Sequence, residues 1–254
     1  MRLGRLGSSV VYFSSVGSTS DVAAALAARP DAEGALVIAD MQTAGRGRRG
    51  HTWFSPSGAG VYVSVVLSPR LARNDTDRAT ALLTIMAGVA LAEAVERSTG
   101  LRVAIKWPND LLVGRRKLAG ILAEGVTSSS ARGLQSVVLG YGLNVLPAAY
   151  PPEVADRATS LESELGRAVD RAQVCADTVS ALAARYDDLL AARYDAILDA
   201  WRDRAPGSQG VRVTWESPQG PQSGMTAGID QRGALLVRVG TRIERIVAGE
   251  VMWP

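Results

Sequence analysis

KWPNDLLVGRRKLAGILAE, residues 106–124, is the stretch whose reading organises the chain. Residues 102–106 form a short β-like run that presents Trp107, Pro108, Asn109 and Asp110 at its exit. Residues 111–113 are apolar, Gly114 supplies a turn without steric cost, and residues 117–124 lead back, so the spacing predicts a β-hairpin. Across that hairpin Lys117 emerges beside Asn109 and Asp110, setting a cation against a carboxylate. Trp107 and Pro108 read as rigid support for Asn109 and Asp110.

Upstream, GRGRRGHTW at residues 45–53 lies between an apolar run at 35–39 and an alternating run at 61–67, and so reads as a loop joining two sheet strands. Gly45, Gly47 and Gly50 allow the backbone to approach a ligand closely. Arg46, Arg48 and Arg49 carry guanidiniums that fork onto phosphate or carboxylate oxygens. Taken alone, the loop is compatible with a polyanionic small molecule, with nucleic acid, and with a merely solvated basic turn.

The rest of the chain divides readily. Residues 10–13 are β-like, and GSTSD at 17–21 caps an Ala/Leu-rich helix start. The Ser18 and Thr19 hydroxyls there either cap the helix or face a pocket beside free backbone N–H groups. Residues 79–96 have helical spacing, 134–140 form a further strand leading into Gly140, Gly142 and Asn144, and 170–201 predict a long helix or helix pair. Beyond residue 206, short alternating runs at 211–215, 224–229, 234–239 and 242–247 predict a small all-β module. About 50 residues are too few for comfortable independent stability, so it should pack on the main body.

Composition sets outer bounds. The 254 residues allow one large domain and a small one, and 47% apolar with 21% charged residues is globular usage. There is no unbroken run of ~18 apolar residues and no secretory core near Met1, so a cytoplasmic protein without a membrane partner is expected. A net charge of +3 and a pI near 9.3 are too mild to argue for nucleic acid. Cys175 stands alone, which excludes an internal disulfide, and it reads as a small buried hydrophobe. A lone histidine, His51, excludes a His-rich metal site.

Seven segments occur in one order: GST at 17–19, QTAGRGRRG at 42–50, WFSP at 53–56, KWPNDLL at 106–112, KLAGILAE at 117–124, GYGLNV at 140–145 and ATSL at 158–161. With GIDQRGALLV and a closing GEV, this pattern resembles the biotin protein ligases over nearly the whole chain. One such match would be weak, whereas seven in order are specific. The resemblance implies an α+β fold: a mixed, largely antiparallel sheet flanked by helices, class II synthetase-like, with a small C-terminal Src-homology-3-like β-barrel. It implies a catalytic domain at 1–205 and the barrel at 206–254. GST already begins at residue 17, so a short form without an N-terminal DNA-binding domain is expected, and no DNA partner. Lipoate and octanoyl transferases share the fold, but none of their motifs replaces KWPND or GRGRRG.

The implied reaction has two steps. Biotin and ATP give biotinyl-5'-AMP, and a lysine of a biotin carboxyl carrier domain then displaces AMP, with Mg²⁺ assisting. Carboxylate and triphosphate repel, so cations must stabilise the transition state. By the family motif, Arg48, Lys117 and Asp110 are catalytic, and Gly47 offers a backbone amide at close range. The resemblance assigns biotin to Ser18, Thr19, Ser20, Gln42, Arg46, Gly47, Arg48, Lys117, Gly120 and Gly140. It assigns ATP to Arg48, His51, Trp53, Asn109, Lys117 and Asn144, while Asp110 either holds Mg²⁺ or receives the acceptor lysine's proton. His51 departs from the family pattern, which usually has arginine there, so it is either a weakened ATP contact or an exposed loop residue. Ser20 for asparagine and Asp40 for glutamate are milder departures. Oligomeric state is left open.

Overall fold

The structure, a computed structural model, describes residues 4–29, 31–127, 134–218 and 220–253. Seven strands form the main sheet: β1 (Val10–Phe13), β2 (Leu36–Ala39), β3 (Gly60–Leu67), β4 (Ala104–Lys106), β5 (Asp110–Val113), β6 (Arg116–Thr127) and β7 (Leu134–Asn144). Their order is β1-β2-β3-β7-β6-β5-β4, with β1 and β2 parallel and every other pair antiparallel. The hairpin expected from residues 106–124 is β5–β6, turning at Gly114 with φ +59°. Strand β4 begins at Ala104, slightly later than its apolar pattern suggests.

Side chains alternate across a strand, and that alternation builds the site. On β7, Leu139, Tyr141 and Leu143 join the main core, leaving Gly140, Gly142 and Asn144 on the opposite face. Register aligns Gly140 with Ser64 of β3 and Leu122 of β6, and Gly142 with Tyr62 and Gly120. The core face is covered by α2 (Thr76–Thr99), α5 (Arg171–Leu190) and α6 (Tyr194–Arg202). Asp75 accepts a hydrogen bond from Arg78 N to start α2, and Gly100 at φ +78° ends it. By length and composition α2 could cross a membrane, a property hidden by its interspersed polar residues. Here it is the core helix, with Leu82, Leu83, Met86 and Leu91 buried.

The helix α1 (Thr19–Leu26) packs on the other face, where Ala23 and Ala27 meet Val37, Val66 and Val138. Two short helices, α3 (Pro152–Ala155) and α4 (Leu161–Leu165), follow β7. The C-terminal module is a five-stranded antiparallel sheet of β8 (Gln209–Ser217), β9 (Gly220–Ile229), β10 (Leu235–Val239), β11 (Arg242–Ile246) and β12 (Val251–Met252), in the order β11-β10-β9-β8-β12. Its two-residue strand β12 is too short to carry an alternation signal. The module docks against α2 and β4: Trp107 Nε1 donates to Gly233 O at 2.9 Å, and a Cβ on Gly233 would lie 2.9 Å from Ile85 Cγ1.

Candidate active site

A cavity of about 610 Å³ opens on the sheet face that carries Gly140, Gly142 and Asn144. Its inner end is a hydroxyl–amide network. Thr19 Oγ1 lies 2.8 Å from Ser64 Oγ and donates to Gln42 Oε1 at 3.0 Å, and Ser20 Oγ lies 3.1 Å from Ser64 Oγ. Gln42 Nε2 donates to Ser55 Oγ at 2.9 Å, and Thr19 N to Gln42 Oε1 at 2.9 Å. These groups are deeply placed, which raises the value of each polar contact.

Next to the network the wall is bare backbone. A Cβ on Gly140 would approach Ser20 Oγ to 2.8 Å, one on Gly142 would collide with the Trp53 indole nitrogen, and one on Gly120 would lie 3.0 Å from the same ring. Gly142 and Gly120 therefore seat the Trp53 ring against the sheet, and Gly140 leaves a glycine-walled trough beside Ser20 and Ser64. The indole N–H of Trp53 is buried with no hydrogen-bond partner among the described residues.

Charge collects beyond the trough. Lys117 Nζ sits 2.6 Å from Asp110 Oδ1, close enough for an ion pair though not aligned as a hydrogen bond, and 5.4 Å from the Trp53 ring centre. The backbone of Lys117 is pinned on both sides, its N–H donating to Arg157 O at 2.6 Å and its carbonyl accepting from Thr159 N at 3.0 Å. This is where the ATSL segment acts; Thr159 O also accepts from Asn144 Nδ2 at 2.9 Å. Arg48 donates to Asn109 Oδ1 at 3.2 Å, while Asn109 Nδ2 donates to Ile121 O at 2.8 Å. Burial pulls the Arg48 guanidinium below its ordinary pKa, and Asp110 opposes that shift. Lys106 is lowered in the same way by burial, with Asp110 opposing and Lys117 reinforcing. The Trp107–Pro108 peptide preceding Asn109 is cis.

All the expected contact residues except Ser18 line this one cavity. Ser18 is a correction: its Oγ accepts from Ser20 N at 3.3 Å as the cap of α1, a geometry that holds it out of the cavity. The Gly47 amide is a second correction, because the basic loop closes on itself. Gly47 N donates to His51 O at 2.7 Å, and Arg49 takes φ +56° to make the turn. Arg46 faces Glu124 at 2.8 Å and Asp21 at 3.2 Å. His51 is exposed at the cavity's edge and contributes its backbone to the loop turn. Ser64, Lys106 and Glu250 join the cavity region without having been singled out from sequence. Ser64 had a usable signal, as a hydroxyl inside the otherwise apolar VYVSVVL run. Glu250 had none.

Residues 12–144 match the biotin/lipoate A/B protein ligase family, and residues 209–252 match the biotin protein ligase C terminal domain. The chain is 34% identical over 248 residues to the bifunctional ligase/repressor BirA of Bacillus subtilis, covering 97% of this chain and 74% of that protein. It is 35% identical over 241 residues to the biotin–[acetyl-CoA-carboxylase] ligase of Mycobacterium tuberculosis, covering 93% of this chain and 85% of that one. Among solved structures, the biotin protein ligase of Aquifex aeolicus in complex with biotin and ATP superposes with a TM-score of 0.78 at 26% identity, covering 96% of this chain and 98% of its own.

Proposed function

The chain belongs to the biotin protein ligase family, and from that premise we propose that it activates biotin with ATP and passes the biotinyl group to a carrier lysine. The observation that carries this reading is a single cavity joining a neutral hydroxyl–amide end to a cationic end through a glycine-walled trough. Biotin's ureido ring needs donors and acceptors in a dry pocket, which Thr19, Ser20, Gln42 and Ser64 supply. The apolar tail would run from the Gly140 end along the Trp53 indole, which itself packs on Gly142 and Gly120, bringing the carboxylate to Arg48 and Lys117.

In the first step a carboxylate oxygen attacks the α-phosphorus, the bond to the β-phosphate oxygen breaks, and pyrophosphate leaves. Arg48 and Lys117 neutralise the charge gathered there, and the Asn109 carboxamide orients Arg48. In the second step a neutral lysine amine attacks the acyl carbon, AMP departs with the C–O electron pair, and an amide forms. ATP contacts are assigned to Arg48, Lys117, Asn109, Asn144 and Trp53, with His51 at the edge. Mg²⁺, which supplies charge neutralisation on the phosphates, would arrive with the nucleotide. Asp110, whose Oδ1 faces Lys117, is the carboxylate that would hold it, through its other oxygen.

We take the carrier to be the biotin carboxyl carrier domain of a carboxylase and assign the activity to the cytoplasm; the name of the Mycobacterium relative gives acetyl-CoA carboxylase as that enzyme's substrate. The chemistry is assigned to residues 1–205, with 206–254 as an accessory domain. The experiment is pyrophosphate release on mixing the protein with MgATP and biotin, lipoate or octanoate. Release with biotin alone is expected. Release with lipoate or octanoate in place of biotin would overturn the substrate assignment.

A further inference from the structure

Resting on the ligase reading above, one electrostatic difficulty is visible in the cavity. Seven arginine and lysine side chains line it against three carboxylates, Asp110, Glu153 and Glu250. That balance suits a triphosphate. It is hostile to the second substrate, because a carrier lysine arrives as an ammonium ion and is repelled by the cations that favoured ATP. Asp110 gives little relief, since Lys117 already sits on its Oδ1 at 2.6 Å.

Two carboxylates remain, Glu153 and Glu250, and neither has an ion-pair partner within 4 Å among the described residues. The charge of Glu250 acts on both Arg48 and Lys106, whereas that of Glu153 acts on neither. Glu250 is exposed at the cavity wall, and its backbone is set by its neighbours. Gly249 before it has φ +128°, a conformation nearly closed to other residues, and Val251 after it is buried and paired with Trp215. Lys106 stands between the two parts of the chain, with its Nζ 6.0 Å from the Trp253 ring centre. The C-terminal module thus brings one negative charge to the cavity wall from about two hundred residues away in sequence.

We propose that Glu250 is a positioning residue for the second half-reaction: its carboxylate attracts the acceptor-lysine ammonium to the cavity, and the cations further in favour loss of its proton to solvent as it moves past Glu250. Glu250 takes no part in adenylate formation. The group it serves is a primary ammonium, so a neutral nucleophile of similar reactivity should not need it.

The test compares wild type, Glu250→Gln and Glu250→Asp in three assays. These are biotin-dependent ATP–pyrophosphate exchange, transfer from preformed adenylate to the carrier domain, and transfer to hydroxylamine, which is uncharged at neutral pH. Glu250→Gln should keep exchange and hydroxylamine transfer within about twofold, while kcat/KM for the carrier falls about tenfold at low salt. The deficit should shrink as salt is raised, and Glu250→Asp should recover part of it. Retained exchange also shows that the variant is folded. Equal loss with carrier and hydroxylamine, or carrier transfer unchanged in Glu250→Gln, would overturn the inference while leaving the ligase reading intact. A wild-type protein that exchanges no pyrophosphate with biotin would bring down both.

Discussion

Lys117 is held in place before any substrate arrives: its ammonium faces Asp110 at 2.6 Å, and both sides of its backbone are hydrogen-bonded. Its charge is therefore preorganised for an anion in the cavity, which is how a cation lowers a barrier rather than merely tightening binding. Lys117→Ala should slow single-turnover adenylate formation by about 100-fold or more, with a melting temperature near that of wild type. A well-folded Lys117→Ala protein with nearly normal turnover would falsify the assignment. At this scale the sequence was legible where residues act through short-range spacing. Asp110 and Lys117 meet across one hairpin, so GRRK between them suffices to predict the contact. Ser18 was less legible because a cap hydroxyl and a pocket hydroxyl one residue apart look alike until the helix direction is known. Glu250 was legible only as part of the closing GEV and not as a cavity residue, since nothing within ten residues of it in sequence lines the cavity except its immediate neighbours Gly249 and Val251.

Strands β6 and β7 meet at Gly120 opposite Gly142, so two missing side chains coincide on one face and Trp53 fills the space above them. Gly142→Ala places a methyl where the indole lies and should expel Trp53. The expected result is a KM for biotin raised at least about tenfold and a shift in tryptophan fluorescence, at a stability cost of about 1–3 kcal/mol. Unchanged biotin binding would mean that the trough is not the biotin path. In the C-terminal module the β9–β10 turn depends on Asp230. Partial burial pushes its carboxyl upward, but this is outweighed by the Ala234 and Arg232 amides and by Arg245, leaving the pKa below its ordinary value. A folded-state pKa below the unfolded one contributes stability above the unfolded pKa, lost as pH falls through the folded one. Asp230→Ala should therefore destabilise by about 1–2 kcal/mol at neutral pH, and urea titrations should show its deficit narrowing below about pH 4. Long helices and hairpins were readable from periodicity. The ends of α2 and the strand β12 were not, because capping geometry and two-residue strands leave no period to detect.

Across the whole molecule one hydrophobic core runs from the main sheet through α2 into the C-terminal module, with Ile85, Trp107, Leu235 and Val237 in a single cluster. Gly233 packs on Leu82 and Ile85 while its carbonyl receives the Trp107 indole N–H. Removing residues 208–254 should therefore lower the melting temperature by at least about 10 °C and reduce unfolding cooperativity, since it strips apolar cover from the core helix. Differential scanning calorimetry of the full chain should show one transition; two well-separated transitions would contradict the shared core. The sequence pattern indicates a module packed on the main body, and Gly249, Glu250 and Val251 of that module also line the cavity. That wall has a temporal consequence. A ribosome makes the basic loop at 45–53 about two hundred residues before residues 249–251, which line the same cavity. A nascent chain holding only the first part thus has the loop but an incomplete wall, so the finished cavity and the finished fold arrive together.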